Sequence, residues 1–321
     1  MALQEIFPDP VTVFSARLPD EPPCLLTDIA VIPGAFVVID NENKNAKRFN
    51  FQMTLIDLVK LEDPCGVTKL SLSSHVAVTQ PQQHVITFIS VETGGKMSIS
   101  SSRHTNRKYQ SISCLDEMRL VAGCCELGHG SVDILTYEGD VLCSIERNES
   151  KSRIFRTPAS LTCFAGRYVL VSDSGRRELV CVTTKGELKF VHDPHGTPSG
   201  VGVTNTGDVY VCIYDKGVVQ KIDVNMGTTC DDCLPEVETR FPLATCLPKD
   251  RVLVITEEMP SDRVLVVNLD AYEKTFKHGP TLKLSNIHLT IDSSYTEERN
   301  TVNQVNSTSG CVNTDEDCTG K

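Results

Sequence analysis

The chain contains no tryptophan, and aromatic residues make up only 6% of it. That leaves few flat platforms on which nucleic-acid bases could stack. It has no apolar run of the length a membrane-spanning helix needs and no sustained heptads, so neither a membrane span nor a coiled coil is predicted. The opening residues, Met1-Ala-Leu-Gln-Glu-Ile-Phe-Pro-Asp-Pro10, lack the basic segment and apolar core of a secretory leader. A Gly-x-Ser-x-Gly elbow and a Gly-rich phosphate loop are both missing, which removes the commonest signatures of serine hydrolases and nucleotide enzymes. Basic charge is also short: the net charge is −11 and the isoelectric point near 5.2. A generally basic nucleic-acid binder would show the opposite balance.

What the chain does have is repetition. Between Thr157 and His192 four β-rich runs are separated by turn signals: Thr157–Phe164, Arg167–Ser174, Glu178–Thr184 and Glu187–His192. Leu161, Cys163, Tyr168, Leu170, Leu179 and Cys181 alternate along them as strand residues do. A lone four-stranded meander would leave its apolar faces uncovered. Related runs recur, with second-strand starts near Val37, Val76, Leu120, Val169, Val209 and Leu253, spaced 39, 44, 49, 40 and 44 residues. Six copies of a four-strand unit at that period predict an all-β, six-bladed β-propeller.

Two deficits at the ends of the repeat match. Val11–Arg17 alternates like a strand with no blade around it, and the sixth copy runs out after Val267 without a fourth strand. The sequence therefore predicts that Val11–Arg17 closes the ring as the outer strand of the last blade. Residues 1–10 are expected to be a flexible N-terminus, 11–271 the propeller, and 272–321 a polar, acidic, disordered tail. From Ser285 to Lys321 six acidic residues face two basic ones amid Ser, Thr and Asn. Lys283–Ile291 alternates and is read as one added edge strand.

Fourteen cysteines would suit a disulfide scaffold in a small secreted protein. Here Cys143, Cys163, Cys181, Cys212 and Cys246 fall inside strand runs, where reduced thiols pack as small hydrophobes. A cytoplasmic monomer is the expectation.

The residues of the first and later blades carry a family resemblance. Cys24-Leu-Leu-Thr-Asp-Ile-Ala-Val-Ile-Pro-Gly34 with Phe36-Val-Val-Ile-Asp-Asn-Glu-Asn-Lys-Asn-Ala-Lys-Arg-Phe49 resembles the first blade of an NHL-type propeller, as found at the C-terminus of tripartite-motif (TRIM) proteins. Val-Leu-Val-Ser-Asp-Ser-Gly and Thr-Thr-Lys-Gly-Glu-Leu in blade four fit, as do Thr-Pro-Ser-Gly-Val-Gly-Val and Gly-Asp-Val-Tyr-Val-Cys in blade five. The resemblance spans Cys24 to Leu269. It implies a non-catalytic recognition module working with the ubiquitin-ligase system. The RING, B-box and coiled coil of such ligases have no counterpart in this sequence, so ubiquitin transfer would pass through a partner.

Candidate chemistry is sparse. Cys230-Asp-Asp-Cys233 has the spacing of half a zinc site or a redox pair, without nearby partners in sequence. The histidines are scattered, and no Asp, Asn or His recurs at equivalent positions of successive blades, as a metal-dependent propeller hydrolase or lyase would require. No cofactor or metal is expected. The loops say more. Second-to-third-strand turns and inter-blade connections emerge on one face of a propeller. Three of them carry basic clusters: Arg103, Arg107 and Lys108; Lys151, Arg153 and Arg156; Arg176 and Arg177. Acidic loops follow in blades five and six, with Asp231, Asp232, Glu236, Glu238, Glu257, Glu258 and Asp262. The sequence thus predicts a polarised docking face whose basic half takes an acidic or phosphorylated protein partner. Single-stranded RNA on the same basic patch is the alternative.

Overall fold

The computed structural model describes residues 6–71, 74–92, 94–126, 130–148, 150–204, 206–223, 228–230, 232–247, 251–258 and 262–277. Six four-stranded antiparallel sheets are arranged as blades, each running from an inner first strand to an outer fourth. The chain opens with β1 (Val11–Ser15). Blade one is β2 (Leu26–Ile32), β3 (Ala35–Asp40), β4 (Asn45–Asn50) and β5 (Leu55–Lys60). Blade two is β6 (Val67–Lys69), β7 (His75–Gln80), β8 (Val85–Ser90) and β9 (Ser98–His104). Blade three is β10 (Tyr109–Cys114), β11 (Arg119–Cys124), β12 (Ser131–Thr136) and β13 (Val141–Ile145). Blade four is β14 (Pro158–Phe164), β15 (Tyr168–Asp173), β16 (Glu178–Thr183) and β17 (Leu188–His192). Blade five is β18 (Pro198–Val203), β19 (Asp208–Ile213), β20 (Val218–Asp223) and β21 (Thr228–Cys230). Blade six is β22 (Pro242–Cys246), β23 (Val252–Glu257) and β24 (Arg263–Asn268), completed by β1.

The middle strands of each blade are buried on both sides, which is why they read as continuous apolar runs. In blade four, Val169, Val171, Val180 and Val182 face the core shared with blade three. Leu170, Leu179 and Cys181 face the core shared with blade five. Each core is therefore an inter-blade layer, and a blade removed from the ring would lose both layers.

The ring closes as the matching deficits predict. Residues Val11 to Ser15 pair antiparallel with Val267 to Arg263. Beyond the ladder, Ala16 N–H donates to the Asp262 carbonyl at 2.9 Å, and Asn268 Nδ2 donates to the Phe7 carbonyl at 2.9 Å. Phe14 then packs between the last blade and the first, with ring centroids 5.3 Å from Phe49 and 6.0 Å from Phe36.

Some expectations change. Phe7 is buried in the core between blades six and one, so the structured part begins before Val11. At the other end α1 (Leu269–Tyr272) and a π-helical turn (Glu273–Lys277) continue past the boundary at 271, capped by the Asn268 side chain. Tyr272 is buried and stacks with Phe276 at 4.8 Å. The rest of the expected tail, including Lys283–Ile291, lies outside the described residues. Of the strand cysteines, Cys181 and Cys212 are buried, but Cys143 is exposed because the outer strand β13 shows most of its side chains to solvent. Gly66 lies just before β6, at the close approach of two inner strands. It lets the start of β6 lie against β10, where a Cβ would sit 2.7 Å from the Gln110 carbonyl oxygen.

Removing residues up to Pro19 takes away β1 and reopens the last blade, so a large fall in melting temperature with aggregation is expected by calorimetry and light scattering. Phe14→Ala should cost about 3–5 kcal/mol in denaturant unfolding. A truncated protein that melts at the wild-type temperature contradicts the closure.

Candidate functional site

The connections expected on one face are organised by a recurrent polar residue at the end of the second strand. Asp40, Gln80, Asp173 and Glu257 each end a second strand and are buried. Each accepts a main-chain N–H from the incoming inter-blade connection: Leu25 to Asp40 at 3.1 Å, Glu62 to Gln80 at 2.8 Å, Thr157 to Asp173 at 2.9 Å and Arg240 to Glu257 at 2.7 Å. Blade five does the same two residues later, with Asp215 accepting from Thr197 at 2.8 Å. This corrects the expectation of no recurrent acid. The repetition is real, but its carboxylates are consumed in pinning loops, since a buried main-chain donor must be matched.

Asp173 does the most in this role. Besides Thr157 it accepts from Arg156 N at 2.6 Å and Arg176 N at 3.0 Å. It thereby draws together two of the basic connections. The Arg176 guanidinium reaches the Arg153 carbonyl at 3.2 Å, and that of Arg156 reaches the Gly175 carbonyl at 3.3 Å. Lys151, Arg153, Arg156, Arg176 and Arg177 are all exposed. Arg177, at φ +60°, crosses to blade five and pairs with Asp215 at 2.6 Å.

The third cluster behaves differently. Arg103 lies within β9, opposite Ile86, and not in a loop. Arg107 folds inward to Ser131 at 2.7 Å, Glu146 at 3.0 Å and Asp133 at 3.4 Å, and its guanidinium holds the Glu146 carboxyl below the usual range. Lys108 donates to Gln82 at 3.1 Å. Lys108 thus reaches back to blade two, Arg107 is held by blade three, and Arg103 donates to the Ser102 carbonyl of its own strand at 3.2 Å, so the basic group narrows to blades three and four. The expected acidic half is largely spent as well: Glu257 is buried against Arg263 at 3.1 Å, Asp262 caps Cys24 N–H, and Glu238 pairs with Arg240 at 2.6 Å. Asp231 lies outside the described residues.

The connection into blade six carries a feature the sequence reading passed over. Phe241 is 48% exposed and sits at φ +49°, a conformation that costs a bulky residue free energy. Its ring lies 5.2 Å from that of Tyr214, next in sequence to Asp215. The Tyr214 hydroxyl donates to the Glu258 carboxylate, which pushes the phenol up to about 12. A sequence signal existed in the aromatic directly preceding Pro242, but it belonged to no repeat position.

Metal-ligand groups were also located. Among the described residues the cluster of three is Glu21, Cys24 and Asp40. The Lys47 ammonium fills its centre, 2.5 Å from Glu21, 2.7 Å from Asp40 and 3.5 Å from Cys24. A cation is already built in, so the donor set does not fit a metal. Cys233 is buried with Tyr210, Leu234 and Tyr272 in the core between blades five and six, while Cys230 ends β21.

A cavity of about 490 Å³ lies on the axis, lined by inner strands of all six blades. The lining residues include Asp28 to Val31 of β2, all three residues of β6 and Ser160 to Thr162 of β14. Asp28 is its carboxylate, accepting from Ile29 N at 2.8 Å and Val67 N at 2.7 Å, and burial pushes it up to about 7 against those two bonds.

Similarity to known proteins is confined to fold. No family model matches the chain, and no curated protein does. Solved structures do. A structural genomics protein of unknown function from Bacteroides thetaiotaomicron superposes with a TM-score of 0.62 at 12% identity, over 80% of this chain and 76% of that one. Virginiamycin B lyase from Staphylococcus aureus gives 0.57 at 11%, over 80% and 99%. Kuenenia stuttgartiensis hydrazine synthase gives 0.57 at 8%, over 79% and 99%. The chain is a six-bladed β-propeller, and these identities carry nothing beyond that architecture.

Asp173→Ala removes three charge-assisted acceptor contacts and should destabilise by about 3 kcal/mol or more while loosening both arginine connections. Chemical denaturation and hydrogen exchange at Arg156, Thr157 and Arg176 would measure this, and unchanged exchange there contradicts the capping role. The Asp28 carboxyl binds its proton more tightly in the folded chain than in the unfolded one. Its stabilising contribution is therefore full below about pH 4 and lost as pH rises through about 7. Asp28→Asn should flatten the stability profile over that window, and an unchanged slope contradicts the assignment.

Proposed function

We propose that this propeller is a non-catalytic protein-interaction module that docks an acidic or phosphorylated segment of a partner on its loop face. The observation that carries the reading is Phe241, an exposed aromatic held at positive φ against Tyr214, whose chain neighbour Asp215 pairs with Arg177. Aromatic and arginine side chains dominate the energetics of protein interfaces, and a rigid ring anchors at low entropic cost. Arg153, Arg156 and Arg176 supply planar donors suited to carboxylate or phosphate oxygens. The TRIM-like blade motifs support the same reading, with any ubiquitin-ligase role exercised through a partner and in the cytoplasm.

The exposed aromatic pair favours one second reading, single-stranded RNA stacked on Phe241 and Tyr214. The two differ in salt response, because each phosphate neutralised steepens the loss of affinity with salt. The lyase likeness stays at the level of fold.

Phe241→Ala and the double reversal Arg176→Glu with Arg177→Glu are the test. Both should leave melting nearly unchanged, since an exposed ion pair contributes about 0–1 kcal/mol. Both should lose the same partners in proximity labelling and weaken them about tenfold or more. If both variants keep the wild-type partners, the loop face is not the docking surface.

A further inference from the structure

The axial cavity shares no residue with the loop-face site. Hydroxyl and charged side chains line much of it, among them Thr68, Ser113, Ser160 and Thr162. Some of those hydroxyls are spent between blades: Thr68 Oγ1 accepts from Cys114 N at 3.0 Å and Ser113 Oγ from Cys163 N at 3.2 Å. Asp28 occupies the same bridging role between blades one and two, where a neutral hydroxyl serves elsewhere. A carboxylate is a costly choice for a bridge that a serine can make.

Nothing described neutralises it. Each Asp28 oxygen takes one main-chain N–H, and among the described residues no Lys, Arg or His forms an ion pair with it. The titratable groups facing it are the thiols Cys65, which burial pushes up to about 12, and Cys246, which burial also pushes up, so both stay neutral. Lys69 lies two residues beyond Val67 on β6, roughly 7 Å further along at the usual strand rise. It lines the same cavity, is exposed, and its side chain has no hydrogen bond or ion pair among the described residues. The cavity lining thus carries one half-buried carboxylate and one exposed lysine.

We propose that the axial cavity binds a small zwitterion of the amino-acid class, its ammonium on Asp28 and its carboxylate on Lys69. The volume suits such a molecule with side-chain room to spare. A neutral sugar would use the hydroxyls but leave the half-buried carboxylate without a cation. A simple anion would meet Asp28 as a like charge, and a polyamine would meet Lys69 as one. Only a ligand carrying both charges compensates both groups. Its ammonium favours the ionised form of Asp28, so binding near pH 6.5 releases a proton, and affinity rises as pH rises through about 7.

Titration calorimetry with glycine, L-serine, L-glutamine and L-leucine, in two buffers of different ionisation enthalpy, tests the site. Propylamine and propionate serve as single-charge probes. At least one amino acid should bind with proton release near pH 6.5, and both single-charge probes should bind about tenfold or more weakly. Asp28→Asn and Lys69→Met should each weaken the amino acid by about ten- to a hundredfold. Phe241→Ala should leave it unchanged, which separates this site from the loop face. Lys69 is exposed, so its variant remains informative if Asp28→Asn fails to fold. Absence of binding by every amino acid up to about 10 mM, or binding that Lys69→Met leaves intact, overturns the proposal.

Discussion

Antiparallel pairing of Val11–Ser15 with Arg263–Val267 is the contact on which the ring depends. Every other sheet is built from strands close in sequence, and each blade covers one face of its neighbour. Without β1 the sixth blade would end in an open edge, and the aromatic cluster of Phe7, Phe14, Phe36 and Phe49 would lose its cover. The buried Lys47 reinforces the same seam, since its ammonium holds Asp40 of blade one to Glu21 and the Ala16 carbonyl of the closing segment. Closure is thus joined by backbone, ring packing and charge at one place. Those contributions share one geometry, so they are expected to be lost together.

The same economy shapes the loop face. A buried polar side chain at the end of a second strand fixes the connection that arrives beside it, and in blade four this also sets where the arginines stand. Asp173 touches no partner in the proposed function, yet it positions Arg156 and Arg176 by holding their main-chain N–H groups. The face is therefore pre-organised, which lowers the ordering cost of binding. The axial cavity follows a different logic. Its walls are inner strands crowded at the axis, where Gly200 admits the β22 backbone so closely that a Cβ would lie 2.4 Å from Thr245 N.

Legibility in the sequence tracked burial. Second and third strands, covered on both faces, stand out as apolar runs such as Val169-Leu-Val-Ser-Asp173 and Leu253-Val-Ile-Thr-Glu257, and from them the blade number and the closure could be read. Inner strands such as Pro198-Ser-Gly-Val-Gly-Val203 and Tyr109-Gln-Ser-Ile-Ser-Cys114 are rich in small and hydroxyl residues, because they bridge crowded neighbours and line a polar cavity. They carry little periodic signal, and Asp28 was hidden among them. The arginine-rich loops were legible as charge. Their pairing was not, because Arg107 meets Asp133 and Glu146 far along the chain within blade three, and Arg177 meets Asp215 in the next blade. The recurrent acid was visible at Asp40, Asp173 and Glu257, but Gln80 and the two-residue offset of Asp215 broke the pattern.

The central claim is that the face carrying Phe241 is the working surface of the propeller. A photoreactive amino acid placed at Phe241, and separately at the exposed Lys185 in the third-to-fourth-strand turn on the opposite face, tests this in cells. The account predicts covalent partner adducts from position 241 and none above background from position 185. Adducts of equal yield from both positions, or from position 185 alone, would contradict it.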